Sequence, residues 1–528
     1  MIDASPQDLT TVKRILAKHL PECEVRAFGS RVSWTAKPYS DLDLVVLGPK
    51  KLSRKVLILI KSAFEESAIP ITVDVLDWHR ISPEFRENIE KEYETIQTPD
   101  ERNAIPEGWR FRKVSEIAEV VGGGTPKTKK PEYWGGDIPW LTPKDLSGEH
   151  FRYVSRGERN ITKAGIENSS ARLVPLGTVL LTSRAPVGYV AMAKNPIATN
   201  QGFRSLVVNE EHDPDFIYYL LLHNTDYLKQ HASGSTFQEL SGSTLKSLEF
   251  LIPPLSEQRA IAHILGSLDD KIELNRRMNK TLEAMARAIF KSWFVDFDPV
   301  RTKAEGRDPG LPDEIAALFP DSFEDSELGE IPKGWEPSTI GSEFNLTMGQ
   351  SPPGKTYNET GDGLPFFQGR RDFGFRFPTN RVYCTAPKRL ADHGDTLVSV
   401  RAPVGDINMA MARCCVGRGV AGIHHKSGSR SYTYYAMHTL SDRFARFEAE
   451  GTVFGAINKK QFEGLHWLSP PGDLVNEFEK IAFPLDERIE KNTNETVTLS
   501  SLRDSLLPKL ISGELRVPEA EKLAEVAI

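Results

Sequence analysis

Residues 184–188 read Arg-Ala-Pro-Val-Gly, and residues 401–405 repeat the same five residues 217 positions later. Other matches keep the same order along the chain. Before this pentapeptide, 105–109 match 331–335, and Gly123, Thr125 and Pro126 match Gly349, Ser351 and Pro352. After it, Gly234 and Phe237 match Gly451 and Phe454, and 253–254 match 470–471. Collinear matches over about 140 residues predict two copies of one domain. Within each copy, short strand-like runs (178–181, 187–192 and 396–400) alternate with Gly/Pro turns, which is typical of a mixed, strand-rich domain.

A heptad-like seam follows each Pro-Pro pair. It consists of Ile261, Leu265, Leu268, Ile272, Asn275, Asn279, Leu282, Ala286 and Ile289 after the first copy, and Phe478, Ala482, Leu485, Ile489, Asn492, Thr496, Leu499, Arg503 and Leu506 after the second. This spacing predicts two long helices, and an Asn at matched seam positions favours their pairing with each other. The alternative is two independent amphipathic helices, each lying on its own domain. Pro484 is expected to break or begin the second helix locally.

The first hundred or so residues differ in pattern from the repeats. Predicted elements are a helix at 9–20, strands at 24–28 and 42–47, a helix at 51–68, a strand at 71–76 and a charged helix at 83–96. Helices that alternate with strands in this way indicate a small α/β domain.

Chemistry-bearing residues cluster in this first unit. Gly29 and Ser30 follow a strand, and their amides, at an expected helix start, could hold a triphosphate. Asp41 and Asp43 alternate at the start of the next strand, and Asp74 lies within a third, so the three carboxylates could share a divalent cation. The combination favours metal-assisted nucleotidyl transfer. The alternative is a solvated strand end with no chemistry.

Composition excludes several classes of protein. The chain has 528 residues, 39% hydrophobic and 26% charged, which is an ordinary globular mixture long enough for several domains. Its longest candidate apolar run, 56–60, is far shorter than the ~18 residues of a membrane span, and the polar N-terminus does not resemble a secretory signal. Four cysteines without metal-ligand spacing argue against a disulfide framework and a zinc site. We therefore expect a cytoplasmic protein.

The net charge of −7 speaks at first against a nucleic-acid binder. Residues 296–330 hold 11 acidic and 3 basic side chains, however, so the rest of the chain is close to neutral. Segment 331–471 has 17 bases against 12 acids. Charge therefore permits DNA binding without requiring it.

Residues 349–356 match the phosphate-loop pattern G-x4-G-K-[ST]. Pro352 and Pro353 remove two of the backbone N–H donors that such a loop needs, and turn-forming residues follow where a helix is required. We therefore reject ATP binding at this position.

The repeats resemble the DNA specificity (S) subunits of type I restriction–modification systems. The resemblance rests on Ile-Pro-x-Gly-Trp at 105–109, Trp-Gly-Gly-Asp-Ile-Pro-Trp at 134–140, the runs 253–258 and 292–297, and Leu-Pro-Lys-Leu-Ile-Ser-Gly-Glu-Leu at 507–515. It implies a non-catalytic DNA reader with two α+β target recognition domains, joined by a pair of long antiparallel coiled-coil helices. It also implies double-stranded DNA, two methyltransferase subunits and a restriction/translocase subunit as partners. S-adenosylmethionine and ATP would be bound by those partners.

The first unit resembles the DNA polymerase β-like minimal nucleotidyltransferases, through Gly29-Ser30 and Asp41-Leu42-Asp43. By that resemblance Asp41, Asp43 and Asp74 would be catalytic metal ligands for Mg²⁺, and Gly29 and Ser30 would contact a nucleoside triphosphate. Trp34 stands where many relatives have glycine, so nucleotide access would differ. The unit is not part of the usual S-subunit plan.

Together these interpretations predict a multidomain α/β protein. Its expected parts are a nucleotidyltransferase-like domain (1–98), recognition domain 1 (105–254), spacer helix 1 (255–297), an acidic linker (298–330), recognition domain 2 (331–471), spacer helix 2 (472–513) and a tail (514–528).

The candidate DNA contacts are basic side chains. They are Lys127, Lys129 and Lys130 in a Gly/Pro loop, with Arg152 and Arg156, in the first copy, and Arg370, Arg371 and Arg376, interleaved with Phe373 and Phe375, in the second. Ordinary solvation is the alternative for each. Arg184 and Arg401 belong to the repeated turn, so we expect them to serve the scaffold. The leading hypothesis is a type I specificity subunit that reads a bipartite target. The rival is a nucleotidyltransferase, or an antitoxin-like relative, that the repeats tether to nucleic acid.

Overall fold

The computed structural model describes residues 2–20, 23–37, 40–48, 50–67, 69–98, 106–148, 152–234, 238–449 and 455–525. The repeat residues Ile105, Phe237, Gly451 and Phe454 lie outside these ranges. Contacts divide the chain into two compact units, one of residues 1–273 and 497–528 and the other of residues 274–496. Each unit contains part of two long helices.

The N-terminal elements form a four-stranded sheet in the order β3-β2-β1-β4. They are α1 (Pro6–His19), β1 (Glu24–Phe28), β2 (Leu42–Leu47), α2 (Arg54–Glu65), β3 (Val73–Asp77), α3 (Pro83–Lys91) and β4 (Glu94–Gln97). Ser5 caps α1, with Pro6 in its first turn. The predicted helix at 83–96 is wrong in its second half: α3 ends at Lys91, and β4 pairs with β1. Burial of Ile96 and Gln97 in the sheet outweighs their helix-compatible pattern.

The first recognition domain contains two main sheets, ordered β6-β14-β11-β12-β8 and β10-β13-β7-β9, and a β15-β5 pair. Its elements are β5 (Arg110–Lys113), α4 (Val114–Ile117), β6 (Ala118–Gly122), β7 (Trp134–Leu141), β8 (Tyr153–Val154), β9 (Arg159–Ile161), α5 (Lys163–Glu167), β10 (Leu173–Val174), β11 (Val179–Ser183), β12 (Val187–Ala193), β13 (Ile197–Thr199), β14 (Phe203–Val208), α6 (Pro214–His223), α7 (Thr225–Gln230), α8 (Gly242–Ser247) and β15 (Glu249–Ile252).

A long helix and a short acidic region follow. They comprise α9 (Leu255–Phe294), α10 (Asp298–Ala304), α11 (Asp313–Ala316) and the hairpin of β16 (Phe323–Ser326) and β17 (Gly329–Pro332). Val300 and Phe319 are buried in the core of the second unit. The acidic segment is therefore a folded layer of that unit.

The second recognition domain repeats the strand order of the first. Its sheet β19-β27-β24-β25 corresponds to β6-β14-β11-β12, and the β18–β28 pair corresponds to β5–β15. Its elements are β18 (Glu336–Thr339), α12 (Ile340–Glu343), β19 (Phe344–Met348), β20 (Tyr357–Asn358), β21 (Leu364–Phe367), β22 (Tyr383–Cys384), β23 (Leu390–Ala391), β24 (Thr396–Ser399), β25 (Ile407–Met409), β26 (Cys414–Val416), β27 (Val420–His425), α13 (Arg430–His438), α14 (Ser441–Ala449), α15 (Lys459–Glu463) and β28 (His466–Ser469). The shared order confirms the duplication.

The chain closes with α16 (Gly472–Ser512) and α17 (Val517–Glu525). The expected break at Pro484 is wrong, because α16 runs through it for 41 residues. An interior proline costs about 3 kcal/mol. Phe478, Ala482 and Ile489 are fully buried on either side of it, and that packing outweighs the cost.

The two long helices pair antiparallel, as the seam predicts. Within the second unit, Asn275 Nδ2 donates to Glu495 Oε2 at 2.9 Å, and Asn492 Nδ2 donates to Asn279 Oδ1 at 2.9 Å. Among the predicted seam residues, Leu268, Ile272, Ile489 and Leu499 are buried, and Leu282 and Leu485 are partly buried. Each seam Asn therefore bonds to a polar residue of the opposite helix.

Among the residues the structure describes, no helix combines the length and the apolar character that crossing a membrane requires.

Replacing Leu268 with Ala is expected to destabilise the chain by about 2–5 kcal/mol, because it empties a fully buried seam position. The control is Leu274→Ala, since Leu274 on the same helix is 53% exposed and should tolerate the change within about 0.5 kcal/mol. Denaturant unfolding of the full chain, followed by circular dichroism, measures both. Equal losses in the two variants would contradict burial of the seam.

Candidate nucleic-acid interface and nucleotide site

Three candidate lysines occupy the loop after β6. Lys127, Lys129 and Lys130 are all exposed, and Lys130 pairs with Glu132 at 3.2 Å. The loop is fixed at its base, where Gly124 N donates to Thr199 O and Gly124 O accepts from Trp140 Nε1, both at 2.9 Å. A rigid base with a basic tip is suited to phosphate contact.

The base of this loop requires glycine. A side-chain carbon on Gly123 would lie 2.0 Å from Asn200 O, and one on Gly124 would lie 2.3 Å from Ser170 Oγ. The loop therefore approaches its neighbours more closely than any other residue type would allow.

Sequence patterns missed a further cation beside this loop. Arg159 on β9 lies 3.5 Å from the centre of the Trp134 ring, and Trp134 packs edge-on against Trp140. Arg156, in the turn before β9, is exposed. Only the pairing of β9 with β7 brings Arg159 to the aromatic ring, so its position could not be read from spacing alone.

In the second domain, Arg370 and Arg371 are exposed, and Arg370 forms an ion pair with Asp406. The neighbouring Phe375 is 43% exposed. An exposed aromatic ring among arginines is compatible with nucleic-acid contact.

Two predicted DNA contacts are corrected. The Arg376 side chain is 1% exposed, and its Nη2 lies 2.5 Å from Asp486 Oδ1. Arg152 is 11% exposed at its side chain and forms ion pairs with Asp215 and Asp270. Both guanidinium groups are largely buried and paired with carboxylates of the protein, so neither is available to a DNA phosphate.

Three carboxylates belong to the neighbouring strands β2 and β3 or directly precede them. Parallel pairing of β2 with β3 aligns Asp43 with Asp74, and Asp41 immediately precedes β2. Burial, and then the negative charges of Asp74 and Asp41, raise the pKa of Asp43 above its ordinary value of 3.8. A divalent cation would relieve this repulsion, so the donor set suits Mg²⁺. In the described part of the chain, no three acidic, His or Cys side chains already surround a common point, so side-chain rotation would have to accompany binding.

The residues beside these carboxylates form a turn and not the helix start that was expected. Gly29 has φ +80°, and a side-chain carbon there would lie 2.6 Å from Asp43 Oδ2. Only glycine fits so close to the carboxylate. Ser30 continues the turn, with Thr35 N donating to Ser30 O at 2.9 Å. Backbone groups of the turn therefore lie beside the acidic cluster, as a nucleotide site requires.

Arg31 fastens this turn to its surroundings. Its buried guanidinium donates to Ser40 O at 2.9 Å and to Asp3 O at 2.6 Å, so it links the turn to the residue before Asp41 and to the start of α1. Trp34, at the far end of the turn, has φ 57° and is 61% exposed.

Helix α1 packs on the first recognition domain within the same unit. Gln7 Nε2 donates to Glu249 O at 2.8 Å, and the Arg14 guanidinium lies 4.3 Å from the centre of the Phe111 ring. Arg14 also approaches Glu249 at 3.8 Å. The N-terminal domain is thus joined to the repeats by specific contacts, which no sequence pattern indicated.

Two family models match the chain. Residues 106–284 match the type I restriction modification DNA specificity domain, and residues 11–102 match the polymerase beta nucleotidyltransferase family.

Individual relatives agree with this division. The chain is 35% identical to the type I restriction enzyme MjaIX specificity subunit of Methanocaldococcus jannaschii over 432 residues, which are 79% of this chain and 95% of that protein. It is 45% identical to the probable protein adenylyltransferase MntA of Haemophilus influenzae over 96 residues, which are 18% of this chain and 84% of that protein. The crystal structure of a type I S subunit from M. genitalium is 19% identical, with a TM-score of 0.49 over 76% of this chain and 96% of its own.

Mg²⁺ or Mn²⁺ is expected to slow hydrogen exchange of the β2 and β3 amides in the full-length chain, because the cation offsets repulsion among Asp41, Asp43 and Asp74. Asp43→Asn should remove the cation effect.

Since the folded-state pKa of Asp43 is raised, its contribution to stability is greatest below about pH 3.8 and is lost as pH rises through the raised value. Asp43→Asn should therefore protect β2 at neutral pH.

The matched control for this measurement is Glu87→Gln, an exposed acid on α3 of the same domain. It should leave both the cation effect and the protection of β2 unchanged. A cation effect that survives in Asp43→Asn would place the binding elsewhere.

Proposed function

The chain belongs to the DNA specificity subunits of type I restriction enzymes, and we propose that each of its two recognition domains reads one half of a bipartite DNA target. The observation that carries this proposal is the duplicated strand order, β6-β14-β11-β12 in one domain and β19-β27-β24-β25 in the other. The loops on these shared frames differ in sequence and length. Two domains that share a strand order but differ in their loops are suited to reading two different half-sites.

Phosphate contacts are proposed for the exposed basic loops. These are Lys127, Lys129, Lys130 and Arg156 in the first domain, to which we add Arg159, and Arg370 and Arg371 in the second. Such contacts position a protein on the duplex, whereas base-edge contacts from the same loops would supply sequence specificity.

Partner subunits would supply the chemistry of the complex. The duplication presents each type of surface twice, which favours two docked methyltransferase subunits, with a restriction/translocase subunit as a further partner. In this proposal the methyltransferase binds S-adenosylmethionine, the translocase binds ATP, and the complex works in the cytoplasm. The domain boundaries given by the sequence, 105–254 and 331–471, define the two readers.

Methylome sequencing of cells that express this chain with its methyltransferase partner tests the proposal. We expect one bipartite adenine-methylated motif. Exchanging residues 331–471 for the corresponding domain of another S subunit should change one half of the motif and leave the other half intact. Exchanging 105–254 is the reciprocal control. A change in both halves after a single exchange, or no motif at all, would contradict the two-reader model.

A second activity is proposed for the N-terminal domain: transfer of a nucleotidyl group from a nucleoside triphosphate to a nucleophilic side chain of a protein acceptor. The acceptor forms a bond to the α-phosphorus as the bond to the β-phosphate breaks, and pyrophosphate and the acceptor proton are released. The crowded carboxylates Asp41, Asp43 and Asp74 beside the Gly29–Ser30 turn support it, as does the similarity to a probable protein adenylyltransferase. A bound divalent cation would neutralise the triphosphate and polarise the phosphorus under attack. Asp41, Asp43 and Asp74 would hold that cation, and the amides of the turn would orient the phosphates.

Incubation of the full-length chain and its partner subunits with α-labelled ATP and Mg²⁺ tests this activity. We expect label on protein, lost by at least about 100-fold in an Asp41→Asn, Asp43→Asn double variant, because changes to the outer partners of metal ligands alone cost about 10–100-fold. DNA methylation by the complex should be unchanged in that variant, and Glu87→Gln should retain both activities. Label transfer that persists without the two carboxylates would contradict the assignment.

A further inference from the structure

The two arginines that sequence analysis assigned to DNA occupy equivalent places in the two recognition domains. Arg152 O accepts from Met192 N at 2.7 Å, and Arg376 O accepts from Met409 N at 2.9 Å. Met192 and Met409 are 217 residues apart, which is the repeat offset. The arginines themselves are 224 apart because the methionine follows the arginine by 40 residues in the first copy and by 33 in the second. Their equivalence is therefore visible only in the fold.

In the second domain, the arginine reaches the long helix that follows the domain. Arg376 lies 3.5 Å from the centre of the Tyr434 ring and donates from Nη1 to Tyr435 Oη at 3.2 Å. Its Nη2 makes a close charge contact with Asp486 of α16, and Tyr435 Oη donates to the same carboxylate at 2.9 Å. The arginine, a tyrosine of α13 and an aspartate of α16 thus form one buried cluster.

The first domain has a related cluster on α9, in which the arginine pairs with the aspartate next to the equivalent one. Arg152 pairs with Asp215 of α6 and with Asp270 of α9, the latter at 3.5 Å, and lies 5.6 Å from the centre of the Tyr219 ring. Tyr219 Oη donates to Asp269 Oδ2 at 2.6 Å. Asp269 and Asp486 are again separated by 217 residues. Both domains therefore use an Arg–Tyr–Asp set to join their helical layer to a long helix.

A glycine in helix α9, Gly266, lies directly against the guanidinium of Arg152. A side-chain carbon on Gly266 would lie 2.7 Å from Arg152 Nη1, so the guanidinium rests directly on the helix backbone. Glycine in a helix interior costs about 1 kcal/mol relative to alanine. At Gly266 this cost accompanies a close approach of the guanidinium, which a side-chain carbon at this position would displace.

We propose that Arg152 and Arg376 are positioning residues that hold each recognition domain in one orientation on its long helix. Apolar packing between a domain and a helix stabilises contact without fixing an angle, whereas a guanidinium between a tyrosine and two carboxylates has one geometry. A buried ion pair contributes little net stability and is better suited to specifying an arrangement. The orientation sets how each domain meets its half-site, so this proposal rests on the two-reader function above.

Binding to DNA duplexes with altered spacers tests the proposal. Once the methylated motif is known, affinity of the complex is measured for the native spacer and for spacers lengthened or shortened by one base pair. Wild type should discriminate strongly. Gly266→Ala keeps every charge and favours helix, yet displaces the Arg152 guanidinium; we expect it to lower the spacer discrimination about ten-fold or more while sequence preference in both half-sites is kept.

Arg152→Met combined with Asp215→Asn should act in the same direction, and adding Gly266→Ala to it should have no further effect. We place the test in the first domain because Asp270 is exposed there and tolerates loss of its partner. In the second domain, Arg376→Met would leave the buried carboxylate of Asp486 without its charge partner. Two controls are Ser267→Ala, the neighbouring position of α9, and Arg172→Met, an exposed arginine of the first recognition domain that is not among the proposed DNA contacts.

Retention of wild-type spacer discrimination in both Gly266→Ala and the Arg152 variant would overturn the positioning role. Equal loss of discrimination in Ser267→Ala would do the same, since a general perturbation of the helix would then suffice. A wild-type complex that ignores spacer length would instead contradict the two-reader function itself. Thermal unfolding of each variant separates loss of folding from loss of orientation.

Discussion

Two helices of about forty residues each bury one apolar seam against the other, and both recognition domains are built on that seam. In the first unit the core combines Leu268 and Ile272 of α9, Leu499 of α16 and domain residues such as Phe216. In the second it combines Phe290 of α9, Phe478 of α16 and residues such as Tyr432. Neither domain closes its core without both helices. Buried amides within the seam, bonded across it, then allow one register only.

The seam and the duplication could be predicted because both are periodic in sequence. Other features depend on contacts between distant residues, and there the predictions failed. Arg376 has the sequence context of a surface cation, in a loop rich in Phe and Gly. Its side chain is nevertheless buried in an ion pair with Asp486, which lies more than a hundred residues away in sequence. Residues 94–97 have a helix-compatible pattern, but an unpaired edge of β1 makes them a strand. Pro484 breaks isolated helices, and only the packing of its neighbours keeps α16 intact.

The position of the acidic segment after α9 also depends on contacts that the sequence pattern does not show. The acidic segment after α9 is anchored by Phe319, whose ring packs edge-on against Trp293 at 5.3 Å, and by Lys303, whose Nζ donates to Ala316 O at 3.0 Å. Its negative charge is therefore fixed to one surface of the second unit. Negative charge held there disfavours the approach of any polyanion to that surface.

The N-terminal sheet places three carboxylates where their repulsion destabilises the folded state. Burial, and then the negative charges of Asp74 and Asp41, raise the pKa of Asp43 above its ordinary value. Packing alone would be served better by neutral side chains at these positions. Gly29, which brings backbone to within contact of Asp43, adds a second local constraint that a purely structural sheet does not need. A bound cation and its phosphates would satisfy both constraints at once, since Asp41, Asp43 and Asp74 would hold the cation and amides of the turn would donate to the phosphate oxygens.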